Sequence, residues 1–233
     1  PSVELESLDG YRPLGKYATY WIHVQLTHHT LPHADTIVAV GTDVNSGLAA
    51  HVRSKYKIDK KKILPIPNGA DVKRTKREKK THSDKFTIFY VGSMKKARGI
   101  DSLIRSVGSL TDDYDDIRLQ LLGPTRRTED RVAIRQLLQS EGIEDVTQFP
   151  DKRVPHQKVL NQMARADVCV LPLSGKLENY KFSYPIKLFE YLSMGKPIVA
   201  SNQPGVSEIV EDNTHALLTT PGNVDEFTEN LRI

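Results

Sequence analysis

The chain has 233 residues, a formal net charge of +4, one cysteine and an apolar content of 38%, enough for one large domain or for one domain and part of another. A single cysteine excludes an internal disulfide, and no apolar run approaches the roughly 20 residues that a membrane-spanning helix needs. The charge is local: residues 73–80 carry six basic side chains and one acid, so the rest of the chain sums to −1, which argues against a nucleic-acid-binding surface spread over the fold.

Taken in order, the opening Pro1-Ser2-Val3-Glu4 shows neither a basic nor an apolar leader pattern, and a cytoplasmic location is expected. Tyr17, Tyr20, Trp21, Val24, His28 and Leu31 recur at helical spacing and predict an amphipathic helix over 14–33. His28, His29 and His33 invite a metal reading, but no cysteine or carboxylate pair completes the set and Pro32 interrupts it; a polar helix end is expected. A strand follows at 36–40, then a helix capped by Thr42 or Asp43 and running to Tyr56, a short strand at 62–66, and a turn at Asn68-Gly69. The polar stretch 71–85 is the best linker in the chain. Its basic run is either a solvated connector or a contact for anionic lipid.

From residue 86 the pattern becomes a regular alternation. Strands are predicted at 86–91, 117–122, 145–149, 168–172, 197–201 and 215–219, and helices at 99–109, 128–141, 156–166, 184–194, 204–211 and 223–231. Such strand–helix repetition predicts an α/β fold, a Rossmann-like doubly wound parallel sheet with helices on both faces. Cys169 falls within the fourth strand, where a reactive thiol is not expected. In these sheets ligands bind beyond the C-terminal strand ends where the strand order reverses, between the first and fourth strands if the order is the Rossmann one.

Two loops would meet there. The first, from Gly92 and Ser93 to Arg98 and Gly99, combines glycines that admit close backbone approach with basic side chains. It suits a diphosphate, or is simply a solvated basic turn. The second leads through Phe182, Ser183, Tyr184 and Pro185 into a helix carrying Lys187, Leu188 and Glu190 and ending at Gly195. Ser183 is the expected cap, Pro185 suits the first turn, and Ile186, Phe189 and Leu192 are the expected buried face. Lys187 at the positive end of the helix favours an anion, and Glu190 one turn deeper suits hydroxyl groups; together they suggest a nucleotide or nucleotide-sugar, against the alternative of a solvated ion pair.

Several stretches in order resemble a known family. They are Ala34-Asp35-Thr36-Ile37-Val38, Ile66-Pro67-Asn68-Gly69-Ala70-Asp71, Val91-Gly92-Ser93 with Arg98-Gly99-Ile100-Asp101, Leu121-Leu122-Gly123-Pro124, Val154-Pro155-His156, and Lys187-Leu188-Phe189-Glu190-Tyr191 through Gly195-Lys196-Pro197 to Gly205-Val206-Ser207-Glu208. From about residue 34 the chain resembles the C-terminal part of nucleotide-sugar glycosyltransferase family 4, group 1, which has the two-domain GT-B fold. The resemblance implies that residues 1–70 are the tail of an acceptor-side domain, 71–85 an interdomain linker, and 86–233 the donor-binding domain, with most of the first domain outside this sequence and the long final helix cut short.

It also implies a retaining, metal-independent transfer of a sugar from a nucleotide-sugar donor to a glycan or lipid-linked acceptor, without a cofactor. Arg98 and the backbone around Ser183, Pro185, Lys187 and Leu188 would neutralise the diphosphate, Glu190 would hold the ribose hydroxyls, and Val154 would meet the base. Gly92, Ser93, Gly99 and Gly123 would line the donor. Two positions depart from the family pattern: Phe182 stands where a first Glu is usual, eight residues before Glu190, and Ser93 where an Arg is frequent. Both losses bear on the donor sugar and the diphosphate. An epimerase or phosphorylase on the same fold, and a non-catalytic scaffold, are the alternatives; the basic run at 73–80 adds contact with the inner face of an anionic membrane.

Overall fold

A computed structural model describes residues 25–73, 85–95, 98–176, 181–182 and 184–232. The chain forms two compact units, Pro1–Asn68 with Leu177–Tyr184, and Gly69–Lys176 with Pro185–Ile233. The part of the expected first helix before residue 25, most of the basic run, and Ser183 lie outside the described residues.

In the first unit, residues 25–30 are helical and pass into a single tight turn at Leu31–His33. His28 packs its ring against Tyr56 with centroids 4.8 Å apart. Strands β1 (Ile37–Ala39) and β2 (Ile63–Pro65) pair in parallel, with helix α1 (Gly47–Tyr56) between them in sequence. Ile37, Ala39, Ala49, Ile58 and Ile63 form the core. The helix starts later than expected, with Ser46 rather than Thr42 or Asp43 at the cap position. The reason is local: Asp43 Oδ1 accepts from the Asn45 N–H at 2.7 Å and the Asp43 N–H donates to Ser46 Oγ, which closes a separate turn first. Nor is there a turn at Asn68-Gly69; residues 66–70 are irregular and Asn68 Nδ2 donates to the Tyr184 carbonyl.

The second unit is the predicted doubly wound sheet. Its strands are β3 (Phe86–Val91), β4 (Ile117–Leu122), β5 (Thr147–Gln148), β6 (Val168–Leu171), β7 (Ile198–Ser201) and β8 (Leu217–Thr219), all parallel, in the order β5-β4-β3-β6-β7-β8. This is the Rossmann order, with its reversal between β3 and β6. Helices α2 (Ile100–Thr111), α3 (Thr128–Ser140) and α7 (Val224–Leu231) cover one face, and α4 (His156–Arg165), α5 (Ile186–Ser193) and the short α6 (Pro204–Ser207) the other. The alternation of side chains along a strand sets this up: Ile88 and Tyr90 enter the first core, Phe89 the second. Cys169 is fully buried in the second core, and burial pushes its thiol far above the usual range.

Three expectations fail in detail. Strand β5 is only two residues long because Pro150 has no N–H for the ladder and the Thr147 N–H is taken by the Glu144 carbonyl. Helix α6 stops at Ser207, and the turn that follows gathers the Ile209 and Val210 N–H groups on the Val206 carbonyl instead of extending the helix. Helix α5 begins at Ile186 with Pro185 at the cap position, and it buries Leu188 and Tyr191 with Met194 just beyond, while Ile186 is 57% exposed. Two apolar stripes of equal spacing run along this helix, and only packing against β6 and β7 selects between them.

Candidate functional site

The reversal between β3 and β6 places two loops side by side at the C-terminal edge of the sheet. After β3 the chain passes through Gly92 and Ser93 to Arg98, whose N–H donates to the Lys95 carbonyl, and then to Gly99 at the start of α2. Gly99 adopts φ 71°, and a Cβ there would lie 1.4 Å from the Pro172 carbonyl oxygen. Only glycine permits this approach, so the start of α2 is held directly against the loop that follows β6. Gly123, after β4, does the same for the neighbouring loop: at φ 140° its Cβ would lie 1.9 Å from the Gly92 carbonyl oxygen.

Lys187 reaches into this junction from α5. Its Nζ donates to the Val91 carbonyl at 2.7 Å and sits 4.1 Å from the centroid of the Tyr90 ring; the Tyr90 hydroxyl donates in turn to the Ser93 carbonyl. Burial, and then the charge of Arg98, push the Lys187 ammonium well below the usual lysine range, with Glu190 pulling the other way. The three expected charged residues therefore interact in one place. Glu190, one turn along α5, is 13% exposed and its Oε1 lies 2.7 Å from His156 Nε2, at the first residue of α4. A carboxylate held this way keeps acceptor capacity for hydroxyl groups.

A cleft of about 170 Å³ opens beside these groups, lined by Val91, Gly92, Leu122, Gly123, Pro124, Arg153, Val154 and Val159. A larger cavity of about 440 Å³ lies at the opposite edge of the sheet, among Phe86, Asp167, Ile198 and Leu217. We place the site at the smaller cleft, because parallel sheets of this order bind ligands at the C-terminal strand ends and the charged groups are there.

Of the residues singled out from sequence, Gly92, Ser93, Arg98, Gly99, Gly123, Val154, Pro185, Lys187 and Glu190 lie around this junction. Leu188 points into the core and its N–H donates to the Pro185 carbonyl. Phe182 belongs to the first unit, where its ring stacks on His51 with centroids 4.9 Å apart. Sequence reasoning missed His156, Tyr90 and Arg153. His156 stood inside a quoted stretch, but nothing in the local pattern points to a partner 34 residues away. Among the described residues no group of three or more His, Cys, Asp or Glu side chains is arranged to hold a metal ion.

The sequence matches the profile of the family described as "Glycosyl transferases group 1" over residues 85–232. It is 26% identical over 181 residues to the D-inositol 3-phosphate glycosyltransferase of Arthrobacter sp. (strain FB24), covering 73% of this chain and 41% of that protein. The structure is similar to that of Anabaena HepE in complex with UDP and glucose, with a TM-score of 0.72 and 18% identity, over 89% of this chain and 55% of that one. It is also similar to sucrose-phosphate synthase from Thermosynechococcus elongatus, with a TM-score of 0.72 and 19% identity, over 97% and 54% of the two chains. The chain thus spans about half the length of these proteins, and its sheet is the C-terminal Rossmann-like part of a GT-B fold. With the profile match covering most of the sequence, the chain belongs to the glycosyl transferases group 1 family.

Proposed function

We propose that this chain carries the donor site of a retaining, metal-independent glycosyltransferase that takes its sugar from a nucleotide-sugar. The observation that carries this reading is the Lys187 Nζ bond to the Val91 carbonyl at the end of β3, with Glu190 one turn along the same helix and Arg98 just before α2, where the strand order reverses. The UDP and glucose bound by HepE, a protein of the same fold, support a nucleotide-sugar as the ligand class.

In the proposed reaction the bond between the sugar's anomeric carbon and the diphosphate oxygen breaks, and its electron pair leaves with the nucleoside diphosphate. Arg98 and Lys187 stabilise that developing charge, which is worth most in a site screened from water. Glu190, braced by His156, holds the ribose hydroxyls, and Val154 borders the base. The new bond forms to a hydroxyl of a glycan or lipid-linked acceptor on the face the diphosphate left, the hydroxyl proton passing to the departing phosphate oxygen, so the anomeric configuration is kept. Among the described residues no helix is long and apolar enough to cross a membrane. The reading adds a cytoplasmic setting, with the basic run at 73–80 drawn to the inner membrane face.

Proton NMR of the first product formed from a UDP-, GDP- or ADP-sugar, with EDTA present, tests the reaction. Retained configuration and full rate in EDTA are expected. Inversion, a requirement for added metal, or turnover that depends on inorganic phosphate would each overturn it, the last in favour of a phosphorylase.

A further inference from the structure

The cleft has two walls on its β4 side, and one buried carboxylate joins them. Gly123 and Pro124 form the first wall, and Arg153 and Val154 the second. Asp151 lies two residues before Arg153 in the left-handed region, at φ 45°, and its side chain is only 6% exposed. Its Oδ1 accepts from the Thr125 N–H at 2.6 Å and from the Thr125 hydroxyl at 2.8 Å. Its Oδ2 pairs with Arg131 Nε on the first turn of α3. One side chain therefore ties the loop after β4, the loop after β5 and a helix end. A non-glycine residue in that conformation persists only where its surroundings hold it.

We propose that Asp151 is a positioning residue that fixes the two walls of the cleft against each other and so sets its fit to the base of a nucleotide. This rests on the donor-site reading above. Asp151 itself touches no reacting atom; its effect passes through Gly123, Pro124, Arg153 and Val154. Because Val154, which the donor-site reading sets against the base, lies three residues beyond Asp151 in the second wall, the clamp governs the base and not the diphosphate.

The test compares the protein with Asp151→Asn, which keeps shape and tolerates the left-handed backbone, and with Thr125→Val, which removes one hydrogen bond and leaves the charge pair. Amide hydrogen exchange without ligand reads the walls directly, and titration with UDP, GDP, ADP and inorganic pyrophosphate reads the site. Asp151→Asn should speed exchange at 123–125 and 152–154 together, and weaken whichever nucleoside diphosphate binds by about tenfold. Pyrophosphate affinity should stay the same, and Thr125→Val should show a smaller loss of the same kind. Unchanged exchange in the variant, or an equal loss for pyrophosphate, would overturn the clamp while leaving the donor site standing. Loosened walls in a protein that binds no nucleoside diphosphate would instead overturn the donor reading and the role in base fit with it.

Discussion

Glu190 and His156 face each other across two helices, with Oε1 and Nε2 2.7 Å apart, the carboxylate 13% and the imidazole 58% exposed. The asymmetry assigns the roles: the buried partner is the one a ligand would need, and the exposed one steadies it. An exposed partner of this kind contributes about 1 kcal/mol or less. His156→Ala should therefore weaken nucleoside diphosphate binding by no more than about fivefold. Glu190→Ala should cost well over tenfold, since it removes the acceptor itself. Calorimetric titration of both variants checks the order; a larger loss from His156→Ala would reverse the assignment.

Lys187 makes a prediction about protons. Burial first, and Arg98 second, hold its ammonium below the ordinary lysine value, against the pull of Glu190. A bound diphosphate brings negative charge and favours the protonated form. Binding should then take up protons, and affinity should fall as the pH rises. Titrations in buffers of different ionisation enthalpy would show this as a buffer-dependent heat, absent in Lys187→Met. Equal heats in all buffers for the unaltered protein would contradict it.

Gly99 and Gly142 offer a controlled pair. Both have left-handed backbones, at φ 71° and 69°, but a Cβ at Gly142 meets nothing within 4 Å, while one at Gly99 meets the Pro172 carbonyl at 1.4 Å. Alanine at 142 should cost only the backbone strain, about 1–2 kcal/mol. Alanine at 99 should cost at least about 2 kcal/mol more, because carbonyl and helix must separate. Denaturant unfolding measures the difference, and equal losses would mean the approach is not tight.

Acid should expose the Asp151 clamp. Burial alone pushes its carboxyl up, but the two bonds from Thr125 and the charge of Arg131 outweigh this and leave it below the ordinary aspartate value. A carboxyl with a lower value folded than unfolded stabilises the fold above its unfolded value of about 3.9, and that contribution disappears as the pH falls through the folded value. The stability advantage of the unaltered protein over Asp151→Asn should thus be steady near neutrality and shrink below about pH 4. An advantage that does not change with pH would contradict the charged clamp.

The sheet was legible because its signals are local. Val168–Leu171 is apolar throughout and Phe86–Val91 is apolar but for Thr87, as strands covered on both faces tend to be. Strand order then followed from topology, and with it the place of Arg98, Lys187 and Glu190. What could not be read depends on competition or distance. Asp43 satisfies a backbone group that a helix would otherwise use. On α5, the choice of Leu188 over Ile186 as the buried stripe needs the neighbouring strands. The pairing of His156 with Glu190, and of Asp151 with Thr125 and Arg131, joins residues from separate strand–helix units, which no local spacing reports.

The donor site is the centre of this account, and a titration with UDP-, GDP- and ADP-sugars, with EDTA present, tests it most directly when repeated on Glu190→Ala. Binding confined to one nucleotide class, unaffected by EDTA and lost in the variant, is the predicted result. Binding of equal strength in Glu190→Ala, or none by any member of the panel, would contradict it.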